Sequence, residues 1–220
     1  MMAVLFDLDG TLIDSVADIH RLSNAALAGE GLAPLGLETV RGFIGRGVPH
    51  LVARLLAAHG IADPERAARM AALIAGSYDD AVELTQLYPG VRDAVAGLQA
   101  QGHALGVCTN KPASAARAIL RHMGLLDAFP VVIGGDSLDL RKPDPAPLLA
   151  TWRACGAGPA VYVGDSEVDA ACAEAAGLPF ILYEHGYRQI PAEALPHAAI
   201  LGDFADLPET VARLLPAPRA

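Results

Sequence analysis

At 220 residues, with 53% hydrophobic content and only 5% aromatics, the chain has enough apolar surface for one or two folded domains and is not of the disordered class. A formal net charge of -9 excludes the basic surface that nucleic acid or an anionic membrane selects, and any anionic ligand then needs a metal cation or a few placed basic residues. Cys108, Cys155 and Cys172 lack metal-ligand spacing, no stretch approaches the ~18 apolar residues of a membrane span and no basic leader is visible, so a cytoplasmic protein without disulfides or zinc is expected.

The first predicted strand, Ala3-Val4-Leu5-Phe6, runs directly into Asp7, Asp9 and the turn-former Gly10. Charge is costly to bury, so two acids at this point place the end of the strand at an open rim. Residues 15–86 show no strand pattern; apolar residues recur at helical spacing, as in Leu51, Leu55 and Leu56 and again in Met70, Leu73 and Ile74, and the block reads as a helical insert. From Tyr88-Pro89-Gly90 onward, predicted helices near 91–101, 113–123, 146–155 and 167–176 alternate with the apolar runs HALGVC, VVIG, AVYVGD and PFILY. Two short elements near 198–201 and 207–215 complete the series, and the tail PAPRA is expected to be loose. Strands at that rhythm imply right-handed βαβ units and a doubly wound, Rossmann-like parallel α/β sheet. The expected division is a catalytic core of 1–14 plus 87–220 and a helical cap of 15–86.

In such sheets ligands bind beyond the carboxyl ends of the strands. The residues there are Asp7 and Asp9, then Thr109 and Asn110 after LGVC, Asp165 after VYVG, and Lys142 in the loop that follows VVIGG. These residue types suit phosphoryl transfer through an aspartyl nucleophile: a carboxylate needs no deprotonation at neutral pH and splits one difficult step into two. Mg²⁺, a hard ion that favours oxygen ligands, would neutralise the acids and let a phosphate approach, while a lysine and a hydroxyl hold the phosphoryl oxygens.

Four motifs in fixed order, DLDGT at 7–11, VCTNK at 107–111, RKPDP at 141–145 and VGDSEVD at 163–169, with a helical insert after the first, resemble those of haloacid dehalogenase superfamily phosphatases. Within that superfamily the chain is similar to the phosphoglycolate phosphatase-like branch. The resemblance implies that Asp7 is the nucleophile and Asp9 the general acid/base. It implies that Thr109 and the Asn110 backbone bind the phosphoryl group, and that Lys142 neutralises nucleophile and phosphate. It also implies a Mg²⁺ site of the Asp7 carboxylate, the Asp9 carbonyl and Asp165, with Asp169 in support. The substrate implied is a small phosphorylated metabolite such as 2-phosphoglycolate, handled by a monomer or homodimer. In the cap, glycines flank Arg46 at a helix start, giving a flexible turn, free N–H groups and a positive charge, the ingredients of an anion site; the resemblance implies a substrate carboxylate as that anion.

Other readings of the same residues are weaker. Asp-Gly after a strand is commonly only a turn, and an EF-hand fails because its sixth loop position is Leu12. Ser166 and Asp169 also match a helix-capping box. Cys108 reads as core, the seven histidines show no metal spacing, and Tyr183, His185 and Tyr187 could line a cleft. A signalling receiver domain would lack both Asp9 and the insert. A dehalogenase would lack Asp9, and a phosphonoacetaldehyde hydrolase needs a cap lysine, whereas 15–86 contains none. A β-phosphoglucomutase-like mutase or sugar-phosphate phosphatase shares all four motifs and stays open.

Overall fold

The computed structural model describes residues 2–214, so the PAPRA tail lies outside the described residues. Six strands, β1 (Ala3–Phe6), β4 (Ala104–Cys108), β5 (Val131–Ile133), β6 (Ala160–Gly164), β7 (Phe180–Tyr183) and β8 (Ala199–Leu201), form one sheet in the order β5-β4-β1-β6-β7-β8. Every pairing in it is parallel. A parallel sheet is covered on both faces, which is why β1 is buried throughout. Its alternate residues serve two cores: Val4 and Phe6 join Val161, Val163 and Phe129 on one face, while Ala3 and Leu5 join Tyr162 and Leu148 on the other.

The helices α5 (Val91–Ala100), α6 (Ala113–His122), α7 (Ala146–Ala154) and α8 (Glu167–Ala176) lie where the sequence predicts them, and the short element expected near 207–215 is the helix α9 (Leu207–Leu214). Between β1 and the rest of the core stand α1 (Val16–Gly29), α2 (Leu37–Arg41), α3 (Val48–Ala58) and α4 (Pro64–Ser77). They enclose a separate apolar cluster that includes Leu22, Leu51, Leu55, Met70 and Ile74. Leu73 departs from the expected stripe and is 50% exposed, because the buried face of α4 runs through Met70 and Ile74.

One pairing is not visible in the sequence. β2 (Ile13–Asp14) and β3 (Gln86–Leu87) form a two-residue antiparallel ribbon where the chain leaves for the helical insert and returns from it. Two residues are too few to display an alternation. β1 is flanked by β4 on one side and β6 on the other, so the order of strands reverses around it. The crevice beyond the carboxyl ends of these three strands is the topological switch point of the sheet.

Candidate active site

Asp7 follows the last residue of β1, and its backbone N–H donates to the Val163 carbonyl at 2.8 Å, which extends the ladder one residue into the rim. Its Oδ1 lies 2.8 Å from the Lys142 ammonium. That ammonium also donates to Asp169 Oδ1 at 2.7 Å and to the Tyr162 hydroxyl at 2.8 Å. Tyr162 donates in turn to Asp169 Oδ1 at 2.8 Å, with the Cys108 carbonyl 3.1 Å from the same hydroxyl. The second Asp169 oxygen accepts from the Ser166 hydroxyl at 2.6 Å and the Ser166 backbone at 3.1 Å, completing the capping box expected at the start of α8. Asp169 thus holds Lys142 against Asp7 and is wholly engaged within the protein.

Asp165 directly follows β6. Its oxygens accept from the Thr11 hydroxyl at 3.0 Å and from the Tyr187 backbone N–H at 2.6 Å. Two glycines press on it. A Cβ at Gly10, where φ is +87°, would come within 2.5 Å of Asp165 Oδ2, and one at Gly186 would overlap the Asp165 side chain.

Carboxylate oxygens of Asp7, Asp165 and Asp169 lie within 4.8 Å of one another, all three residues buried. Burial raises the Asp7 carboxyl to about 7, aided by the charge of Asp169 and opposed by Lys142. Burial also lifts Asp165 well above the carboxylate range, with Asp169 and Asp7 adding to it. For Asp169 burial works in the same sense, yet the Lys142 ammonium and the bonds from Ser166 and Tyr162 hold its carboxyl below the usual value. Asp7 and Asp169 thus share a single ammonium, Asp165 has none, and Asp7 Oδ1 is buried without an aligned hydrogen bond. An all-oxygen, electron-rich set of this kind fits a hard divalent cation. Asp7 and Asp165 have the freer oxygens. The Asp9 side chain is not among these carboxylates, because it points elsewhere.

That side chain meets Lys111. Lys111 Nζ donates to Asp9 Oδ1 at 3.0 Å, and the Ser15 hydroxyl donates to the same oxygen at 2.5 Å. The ammonium also sits 4.2 Å from the centre of the Tyr78 ring, which belongs to the helical insert. Sequence reasoning assigned Lys111 no role, although the chain has only two lysines and both are at this rim. Tyr162 carried a signal as well, since a tyrosine in an aliphatic buried strand needs a partner for its hydroxyl.

Thr109 and Asn110 follow β4 as expected and are buried. The Asn110 side chain fastens two loops: its amide donates to the Gly45 and Lys142 carbonyls, both at 2.9 Å, and its oxygen accepts from the Lys142 N–H at 3.0 Å. The turn around Arg46, expected to be flexible, is therefore pinned to the core through Gly45. Gly45 and Gly47 have φ of +111° and +82° and bring this turn against Asn110. Arg46 itself is exposed and lines a cavity of ≈ 50 Å³ with Asp7, Asp9, His50 and Asp165. A second cavity of ≈ 30 Å³, on the other side of the two acids, is lined by Thr109, Asn110, Lys111, Ile44 and Tyr78. Both are small, with room for a few water molecules, so the insert is packed down on the rim.

Tyr187, which the sequence offered only as a cleft residue, joins the two parts. Its hydroxyl accepts from the Ser15 and Val16 N–H groups at 2.7 and 3.1 Å, at the start of α1, and donates to Asp14 at 2.7 Å. Arg41 of α2 reaches across to the Gly186 carbonyl at 2.9 Å. Cys108 is buried, its thiol pushed up to about 12 by that burial, as befits a core residue.

Residues 1–177 match the family model described as a haloacid dehalogenase-like hydrolase. A phosphoglycolate phosphatase of Cereibacter sphaeroides is 51% identical over 217 residues, covering 98% of this chain and 100% of that protein. One of Rhodobacter capsulatus is 48% identical, covering 95% and 96%. A solved structure from Haemophilus somnus, described as a predicted phosphoglycolate phosphatase, superposes with a TM-score of 0.88 at 31% identity, covering 95% of this chain and 97% of that one. With the order of motifs, the switch-point position of the acids and these full-length likenesses together, the chain belongs to the haloacid dehalogenase-like hydrolases.

Proposed function

We propose that this enzyme hydrolyses 2-phosphoglycolate to glycolate and inorganic phosphate through an aspartyl phosphate on Asp7. The observation that carries the reading is the pairing of a buried nucleophile candidate, Asp7 on Lys142, with a second acid, Asp9, that faces the same cavities but belongs to a different ion pair. Full-length relatives named phosphoglycolate phosphatase support the choice of substrate.

An Asp7 oxygen attacks phosphorus while the bond to the ester oxygen breaks. Asp9 gives its proton to the departing glycolate oxygen. Asp9 then takes a proton from water as the water oxygen attacks the same phosphorus, the bond to Asp7 breaks, and the carboxylate is regenerated. Lys142 offsets negative charge on Asp7 and the phosphoryl oxygens, and the Thr109 hydroxyl and Asn110 N–H hold those oxygens in place. Asp7, the Asp9 carbonyl and Asp165 would hold Mg²⁺, with Asp169 in support through Lys142; the ion would supply charge neutralisation for an anion entering an acidic pocket. Exposed Arg46 binds substrate at the mouth of its cavity and draws the anion inward. All of these residues come from one chain, so a monomer or a homodimer would serve. Three buried free cysteines suit a reducing, cytoplasmic setting.

A steady-state screen of 2-phosphoglycolate, hexose phosphates, pyrophosphate and p-nitrophenyl phosphate tests this reading. 2-Phosphoglycolate should have the highest kcat/KM, with release of phosphate. Interconversion of sugar phosphates without phosphate release would replace the reading with a mutase.

A further inference from the structure

The pair of cations near Asp9 raises a question of selectivity. Arg46 is exposed, whereas the Lys111 side chain is 3% exposed. A charge that has lost its water acts over a lower dielectric and is screened less by salt, so of the two it has more to gain from an anionic partner. Lys111 occupies a mixed position. It stands on the core, directly after the phosphoryl-binding candidates Thr109 and Asn110, yet Tyr78 of the insert covers it. Its ammonium bonds to the acid that faces the leaving group.

From this juxtaposition we infer that Lys111 is the residue that recognises the carboxylate of the substrate, exchanging its bond to Asp9 for one to the substrate anion. The inference rests on the assignment of 2-phosphoglycolate above. In that substrate the carboxylate is two covalent bonds from the ester oxygen. A leaving oxygen in contact with Asp9 therefore brings the carboxylate into the neighbourhood of the Lys111 ammonium. The exchange does not strand Asp9, because Ser15 Oγ remains 2.5 Å from its Oδ1. Nor does it strand the ammonium, which keeps the face of Tyr78. The apolar lining from Ile19, Ile44, Val48 and Leu51 leaves few rival partners for a substrate carboxylate on this side. Arg46 steers the anion from outside, and Lys111 reads it within.

The test uses the Mg²⁺-loaded full chain and three esters of similar size: 2-phosphoglycolate, ethyl phosphate, which lacks the carboxylate, and phosphoethanolamine, which replaces it with a cation. The wild type should prefer 2-phosphoglycolate to ethyl phosphate by at least tenfold in kcat/KM and should disfavour phosphoethanolamine. Lys111→Met should reduce the first ratio at least tenfold, and Arg46→Ala should reduce it much less. Equal losses on 2-phosphoglycolate and ethyl phosphate in Lys111→Met, or a collapse of the ratio in Arg46→Ala alone, would overturn the inference. If Lys111→Met does not fold, a crystal structure of the wild type with 3-phosphonopropionate decides. Its carboxylate should lie about 3 Å from Lys111 Nζ, and a carboxylate on Arg46 or in solvent refutes the assignment. A wild type that hydrolyses none of the three esters would instead remove the phosphatase reading itself, so the two failures are distinct.

Discussion

The sheet rim and the helical insert face each other across the same two small cavities but are held together by different forces. At the rim, Asp7 and Asp169 are buried and tied to Lys142, and buried Asp165 lies beside them. In the insert, the cluster around Leu51, Leu55 and Met70 is apolar, and it offers the cavities mostly aliphatic side chains, the Tyr78 ring and the exposed Arg46. A network of buried charge is costly to build and contributes little net stability. Its presence at one edge marks the place where chemistry is done. An apolar lid costs nothing of that kind and shapes what may enter.

The contrast is broken most directly at the rim. Asp7→Asn is nearly isosteric but a poor nucleophile, and turnover should fall by on the order of 10⁴-fold or more while the fold is kept. Acid quench of the wild type should trap phosphate on Asp7; label on any other residue removes the nucleophile assignment. Asp9→Asn should lose about 10²–10⁴-fold. In single-turnover phosphorylation its loss should be smaller for aryl than for alkyl esters, because an aryl leaving group needs little protonation. Equal losses would count against the acid role.

Across the cavity the effects should be smaller. Arg46→Ala should lower kcat/KM for 2-phosphoglycolate by roughly 1 kcal/mol, the scale of an exposed ion pair, and the difference should shrink as salt is raised. A loss of a hundredfold that persists in high salt would place Arg46 inside the closed site and erase the distinction drawn between the two regions.

A further effect is expected on stability rather than on rate. With Asp7 ordinarily near 3.8 and raised to about 7 in the fold, the native state binds protons that the unfolded chain has released. That contribution is complete below about pH 4 and is lost as pH rises through 7. The raised Asp165 acts in the same direction, whereas Asp169, held low, contributes above the usual carboxylate range and loses that contribution in acid. Mg²⁺ should therefore raise Tm more at pH 8 than at pH 5, by several degrees if it stabilises by about 2.7 kcal/mol at a hundredfold excess over Kd. An Asp165→Asn variant with an undiminished Mg²⁺ shift would place the ion elsewhere.

Much of this arrangement was legible in the sequence because it follows from short-range rules. Apolar runs ending in Asp7 and Asp165 gave strands and their rim residues, helical spacing gave α5 to α8 and the stripes of α3 and α4, and Ser166-x-x-Asp169 gave its capping box. What escaped depends on contacts between distant segments. Tyr187 meets Ser15 across 172 positions, and Lys111 meets Asp9 across 102. The periodicity of a local stretch holds no trace of such meetings. The ribbon of β2 and β3 was too short to leave a pattern, and Leu73 was misplaced because apolar spacing does not tell which side of a helix a neighbouring helix covers.

Gly10 and Gly186, pressed against Asp165 from two directions, also bear on how sequences of this kind can drift. Neither glycine carries a functional group, yet even a methyl at either position must push Asp165 aside. Both positions should thus behave as if they were catalytic in a saturation library, with alanine as damaging as leucine. Exposed Gly60 and Gly102, with comparable φ of +70° and +77° and open space around them, should admit asparagine with modest loss. Variation among descendants of this chain would then be confined by the room around one carboxylate as much as by the reaction itself.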